Sequence, residues 1–182
     1  MPRICVFAGA ASGTNPDYAT TSFDIGKGLS ACGYSFVYGA GNTGLMGAFA
    51  DGVLANKGDI KGIIPHFLKD REVAHTGLTQ IIATDTMHER KAQMYQDADG
   101  FLILPGGLGT LDETMEVLTW RQLDQLDAPV IIYSPDGYWK NMRTLFDDVI
   151  TGGFAHSNGL GTIDWQETPT GVIEAMKQAL PV

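Results

Sequence analysis

The sequence predicts a single doubly wound α/β domain, a parallel sheet with helices on both faces. Three observations carry that expectation. Short β-branched or aromatic runs alternate with longer helical stretches along the chain, the pattern of repeated strand–helix–strand units. Two of the runs, Phe101-Leu102-Ile103-Leu104 and Val130-Ile131-Ile132-Tyr133, are apolar without interruption, as parallel strands buried on both faces require. The 23 glycines among 182 residues collect in short clusters between the runs, where turns and ligand loops need backbone free of side chains.

Taken in order, Ile4–Ala8 is a compact apolar strand closed by a Gly/Ala/Ser turn, and Pro16 introduces a helix over Asp17–Cys32. A second strand, Ser35–Tyr38, runs into a glycine-rich loop and a helix at Gly44–Asn56. The strand Gly62–Pro65 ends at its proline. Thr79–Ala83 precedes a helix at Met87–Asp97. The strand Phe101–Leu104 is stopped by Pro105-Gly106-Gly107 and followed by a helix at Thr110–Asp124. Val130–Tyr133 is followed by a helix at Gly137–Thr151, a short strand at Thr162–Asp164, and a proline-led helix at Pro169–Leu180. No internal repeat, linker or shift of composition divides residues 1–182.

Composition narrows the function. Twelve Lys and Arg against 21 Asp and Glu leave a net charge of −9 with no basic run, which argues against a nucleic-acid or anionic-lipid surface. Cys5 and Cys32 have neither metal-type spacing nor a disulfide framework and read as small packed hydrophobes of a reducing cytoplasm. The apolar stretch after Met1 is too short for a signal peptide, and nothing approaches the ~18 apolar residues of a membrane helix. His66, His75, His88 and His156 are dispersed without ligand spacing, so no metal is expected.

In an open α/β sheet, ligands bind outside the carboxyl ends of the strands, which directs attention to three loops. The first, Gly9-Ala10-Ala11-Ser12-Gly13-Thr14-Asn15, offers backbone N–H groups and the Ser12 and Thr14 hydroxyls, or is a plain turn into the next helix. The second, Gly39-Ala40-Gly41-Asn42-Thr43-Gly44, is a formal G-x-G-x-x-G match in a strand-to-helix setting. The following strand ends in Pro65-His66 without the acidic residue that holds a dinucleotide ribose, so a nucleoside or phosphate ligand is preferred to NAD. The third is Pro105-Gly106-Gly107-Leu108-Gly109-Thr110-Leu111-Asp112-Glu113. Its glycines let the backbone approach an anion, Thr110 is placed to cap a helix, and the helix dipole favours phosphate. No Lys follows the last glycine, so this is not a Walker A loop. Glu113 and Glu116 either complement the helix N-terminus or face a pocket. Arg90 and Lys91, in Met87-His88-Glu89-Arg90-Lys91, fall near the same sheet edge, as ligand contacts or as a solvated helix face. Met115 and Trp120 read mainly as core or dimer packing.

These strings, with Thr119-Trp120, resemble in order and spacing the LOG (Lonely Guy) family, from about Ile4 to about Phe154. The pairing of P-G-G-x-G-T-x-x-E with M-x-x-R-K upstream is specific. Members are often labelled lysine decarboxylases. The resemblance implies a Rossmann-like fold, a homodimer with active sites near the subunit interface, and a cofactor-free phosphoribohydrolase that cleaves the N-glycosidic bond of nucleoside 5′-monophosphates. The implied substrates are cytokinin nucleotides or AMP.

By motif position, Arg90 and Glu113 look like the catalytic pair, and Gly106, Gly107, Gly109 and Thr110 like the phosphate cradle. Further contacts are expected from Gly9, Ser12, Gly41, Asn42, Lys91 and Glu116. Gln80 stands where the family commonly has a substrate-contacting Glu, and Ala8-Gly9-Ala10-Ala11 stands where it has C-G-S-S. The catalytic core is therefore intact while base preference is open. Two competing readings are a non-catalytic nucleotide carrier of the same fold and a nicotinamide-dependent oxidoreductase. The missing ribose-binding acid weakens the oxidoreductase, and a carrier has no need of Glu113.

Overall fold

The computed structural model describes residues 1–69, 74–96, 98–156, 160 and 162–182. Its strands are β1 (Arg3–Phe7), β2 (Ser35–Tyr38), β3 (Ile60–Pro65), β4 (Gln80–Thr84), β5 (Gly100–Ile103), β6 (Val130–Tyr133) and β7 (Asp164–Gln166). They form one parallel sheet in the order β4-β3-β2-β1-β5-β6-β7. The chain builds outward from β1 in one direction through β2, β3 and β4, then returns to the other side of β1 with β5. The crevice between β1 and β5 is thus the point where the winding reverses, and there the loops after the two strands diverge to opposite faces.

The helices are α1 (Asp17–Ala31), α2 (Gly44–Ala55), the single turn α3 (His66–Lys69), α4 (Met87–Gln96), α5 (Leu108–Gln122), α6 (Lys140–Thr151) and α7 (Pro169–Ala179). Strand alternation sorts the core into two layers. Ile4 and Val6 of β1 point into one with Ile25 and Leu29 of α1, Phe49 and Val53 of α2, and Met176 of α7. Cys5 and Phe7 point into the other with Met94 and Tyr95 of α4, Val117 of α5 and Phe146 of α6. Central strands β1, β2, β5 and β6 are buried almost throughout, which accounts for their unbroken apolar composition.

Several boundaries differ from expectation. β3 begins at Ile60, two residues before Gly62, because Ile60 pairs with Phe36. The last strand lies at Asp164–Gln166, where Asp164 takes the partner Ile131. Gly137 does not open a helix: Asp136 and Gly137 have φ of 52° and 71°, and a 3₁₀ turn over Pro135–Gly137 separates β6 from α6. The expected end of α4 at Asp97 lies outside the described residues. α5 begins at Leu108 with Gly107 as its N-cap, so Thr110 is not the cap and Glu113 belongs to the second turn, not the first. The physical reason is that Thr110 is needed elsewhere, buried beneath Gly106.

Candidate active site

A cavity of about 570 Å³ opens over the β1/β5 crevice. Its floor is built by the first and third loops, joined where the Gly9 N–H donates to the Pro105 carbonyl at 3.0 Å and Leu104 N–H to Phe7 O at 2.9 Å. The close approach needs glycine on both sides: a Cβ on Gly9 would lie 3.1 Å from the Gly106 Cα, and one on Gly106 would lie 2.1 Å from Thr110 Oγ1. Gly107 and Gly109 line the cavity and have open space where a Cβ would stand. The N–H groups of an α-helix's first turn have no partner within the helix, and no described side chain caps α5. The turn around Gly107, Leu108, Gly109 and Thr110 therefore presents donors and the positive end of a 15-residue helix to the cavity.

The second glycine loop is used differently. The Leu45 and Met46 N–H groups both reach the Gly9 carbonyl, at 2.9 and 3.2 Å, and Thr43 Oγ1 donates to Ala10 O at 2.9 Å. Gly44, at φ 62°, packs so closely on the first loop that a Cβ would lie 2.4 Å from the Ala10 carbonyl carbon. The N-terminus of α2 is thus satisfied by protein, and the G-x-G-x-x-G string serves loop-on-loop packing. Gly41 is buried, its carbonyl accepting from Tyr38 Oη at 3.2 Å, while Asn42 is exposed. Neither lines the cavity, and Ser12 is exposed outside it.

Arg90 comes from the first turn of α4 and is only 6% exposed. Its Nη2 donates to the Gly39 carbonyl at 3.1 Å, and Nη1 has a weak contact with the Met87 sulfur at 3.9 Å. Nε is buried with no hydrogen-bond partner among the described residues. A guanidinium has five N–H donors, so donors remain for an oxyanion at the cavity wall. Glu113, half-buried on α5, lines the same cavity. Burial pushes the Cys5 thiol in β1 well above the usual range; the Glu113 charge adds to the shift and the Arg90 charge opposes it. Both groups therefore act on one point beneath the floor.

Lys91 does not line the cavity, although its partner Asp112 does. Its Nζ reaches Asp112 Oδ2 at 3.1 Å and Glu116 Oε2 at 2.8 Å, and Tyr95 Oη donates to Glu116 Oε2 at 3.0 Å. Lys91 and Glu116 thus fasten α4 to α5. Tyr95 also packs edge-on against Trp120 at 5.7 Å. Gln80 is the opening residue of edge strand β4, at the amino end of the sheet and remote from the strand ends that carry the cavity.

Two cavity residues escaped the sequence reading. Tyr138 Oη donates to the Gly106 carbonyl at 2.7 Å, and its ring meets Tyr18 edge-to-face at 5.6 Å. Tyr138 follows the turn after a central strand, so the strand-end rule applied to β6 would have found it. Tyr18 reads from sequence only as a helix residue.

The family model described as "Possible lysine decarboxylase" matches residues 46–176. Cytokinin riboside 5′-monophosphate phosphoribohydrolase LOG5 of Arabidopsis thaliana is 40% identical over 152 residues, 84% of this chain and 67% of that protein. LOG4 of the same plant is 35% identical over 179 residues, 98% of this chain and 83% of that one. The chain belongs to the LOG family. Solved structures similar to this LOG-family chain include the molybdenum cofactor carrier protein of Chlamydomonas reinhardtii, with a TM-score of 0.75, 18% identity, and coverage of 100% of this chain and 99% of that one. The molybdenum cofactor binding protein of Rippkaea orientalis gives 0.73 at 22% identity, over 97% and 96%. At such identities the likeness is one of fold alone, so the LOG-family chain shares its Rossmann-like frame with both proteins. In the LOG-family motifs, P-G-G-x-G-T-x-x-E builds the α5 turn and carries Glu113, and M-x-x-R-K brings Arg90 to the same cavity.

Proposed function

We propose that the chain is a phosphoribohydrolase that cleaves nucleoside 5′-monophosphates, AMP or cytokinin nucleotides, into free base and ribose 5-phosphate. The observation that carries this reading is the convergence of Arg90, from α4, with Glu113 and the N-terminal turn of α5 on one cavity, two stretches of chain brought together by the fold. The turn at Gly106, Gly107, Gly109 and Thr110 takes the 5′-phosphate, with its dipole and open N–H groups opposing the negative charge. The sugar then extends towards Arg90 and Glu113.

Breaking the bond from C1′ to the base nitrogen leaves oxocarbenium character on the ribose. The Glu113 carboxylate stabilises that charge and accepts a proton from the water that adds at C1′. The departing base nitrogen takes up a proton, so nucleotide and water balance against base and ribose 5-phosphate. Arg90, with its fork of donors, holds a substrate oxygen and orients the glutamate's end of the site. The chain works as one domain, as a cytoplasmic homodimer of the kind the family resemblance implies.

The test is chromatographic. Purified protein is incubated with AMP, N6-isopentenyl-AMP, other monophosphates and adenosine, beside Glu113→Gln. Base and ribose 5-phosphate released from monophosphates alone, with the rate falling by about a hundredfold or more in the variant, supports the proposal. Binding without release from any nucleotide overturns it in favour of the carrier reading.

A further inference from the structure

The cavity has an end, lined by Tyr18 and Tyr138, that the hydrolytic chemistry does not use. Arg90 is anchored at the end of β2 through Gly39, whereas Tyr138 follows β6, and the sheet order places the β1/β5 crevice and its phosphate turn between them. Sugar and base extend from that turn towards Arg90 and Glu113. Additional phosphates, attached on the far side of the first, therefore extend towards β6, where Tyr18 and Tyr138 stand.

That end is built firmly. Tyr138 Oη is tied to the Gly106 carbonyl of the phosphate turn itself. Its ring meets Tyr18 edge-to-face at 5.6 Å and Trp139 edge-to-face at 4.7 Å. The backbone beneath it is a fixed turn: Trp139 N–H donates to Ser134 Oγ at 2.9 Å and Tyr138 N–H to Pro135 O at 3.0 Å. Tyr138 is 40% exposed, so core packing does not explain its elaborate support. Behind the rings lies negative charge. Asp136 receives Asn15 Nδ2 at 3.3 Å, and its carboxylate, after burial, is the next cause that raises the Tyr18 phenol pKa.

We propose that Tyr18 and Tyr138, backed by the Asp136 carboxylate, form the end wall of the phosphate subsite and restrict the cavity to monophosphates. The wall acts in two ways. The rings occupy the space a second phosphate needs, and the carboxylate repels the extra charge that a di- or triphosphate carries. The inference rests on the phosphate assignment made above.

The experiment compares AMP with ADP on the wild type and on Tyr138→Ala, Tyr138→Phe and Asp136→Asn. Asparagine is chosen because it tolerates the left-handed backbone at 136. Both kcat/KM for adenine release and calorimetric Kd are measured. The wild type is expected to favour AMP by about a hundredfold, and Tyr138→Ala to reduce that ratio by about tenfold or more through a gain with ADP. Asp136→Asn is expected to reduce it several-fold, with the effect shrinking as salt is raised. Tyr138→Phe, which keeps the ring, is expected to keep the ratio.

Equal use of ADP and AMP by the wild type, or an unchanged ratio in both Tyr138→Ala and Asp136→Asn, overturns the wall. So does a Phe variant as permissive as the Ala variant. If the wild type releases no base from any monophosphate, the hydrolase reading fails. The Kd ratio of the same four proteins then still decides the wall.

Discussion

Arg90 Nη2 donates to the Gly39 carbonyl at 3.1 Å, and a Cβ on Gly39 would stand 1.9 Å from that same nitrogen. The glycine is thus the seat of the arginine. In Gly39→Ala the far end of the Arg90 side chain must move, which the surrounding fold tolerates better than a backbone collision. The expected outcome is a loss of about a hundredfold in kcat/KM with a melting temperature only a few degrees lower. Arg90→Lys is expected to fail as well, because an ammonium has no planar fork with which to hold the carbonyl and a substrate oxygen together.

The glycines of the third loop are predicted to separate into two kinds. Gly106→Ala places a Cβ 2.1 Å from Thr110 Oγ1 and 3.0 Å from the Gly9 nitrogen, and destabilises by about 1–3 kcal/mol. Gly109→Ala meets no atom of the described residues within 4 Å and lies in α5, so stability is kept or rises by up to about 1 kcal/mol. Its methyl group points into the phosphate region, and KM for a monophosphate rises. Urea unfolding and steady-state kinetics on both variants check the contrast.

Lys91 is predicted to matter for stability more than for turnover. Its side chain is 12% exposed and its partners Asp112 and Glu116 are 63% and 26% exposed. Lys91→Met therefore costs about 1–2 kcal/mol, less than a fully buried pair would. Burial alone works against the ammonium charge, but the hydrogen bonds and charges of Glu116 and Asp112 outweigh it and raise the Lys91 pKa. A raised folded pKa means that this stability is fully present below the unfolded lysine value of about 10.4 and is lost as pH rises through the higher folded value. The stability gap between wild type and variant should stay level from pH 7 to about 10 and close above that. A gap that closes near neutrality would refute the clamp.

NAD and NADH are predicted not to bind. The Gly9 carbonyl accepts from both Leu45 and Met46 N–H, so the helix end that a dinucleotide pyrophosphate would use is taken. Titration with NADH, followed by energy transfer from tryptophan, should show nothing up to about 1 mM, whereas inorganic phosphate should compete with AMP at the α5 turn. Gly44→Ala, which combines φ 62° with a 2.4 Å approach to Ala10, should unfold the loop pair and lower the melting temperature by several degrees.

Much of this protein was legible in the sequence because the signals are local. The unbroken apolar runs mark buried parallel strands, and Pro16 and Pro169 stand at helix starts. The strings Pro105-Gly106-Gly107-Leu108-Gly109-Thr110 and Met87-His88-Glu89-Arg90-Lys91 mark a turn and a helix at strand ends. Arg90, Glu113 and the α5 glycines do line one cavity.

Which neighbours share a site was decided only by the tertiary structure. Arg90 and Lys91 are adjacent in the chain, yet successive positions on a helix point about 100° apart, and one faces the cavity while the other pairs with α5. Glu113 and Glu116 divide in the same way. Gly41 and Asn42 match a ligand fingerprint by spacing, but the loop folds onto Gly9 and Ala10. Gln80 sits at the opposite end of its strand from the cavity. Tyr18 and Tyr138, 120 positions apart, meet because β1 and β6 flank β5. A spacing rule describes a residue's own element. Its partner is set by the winding of the sheet, and no local run of sequence encodes that.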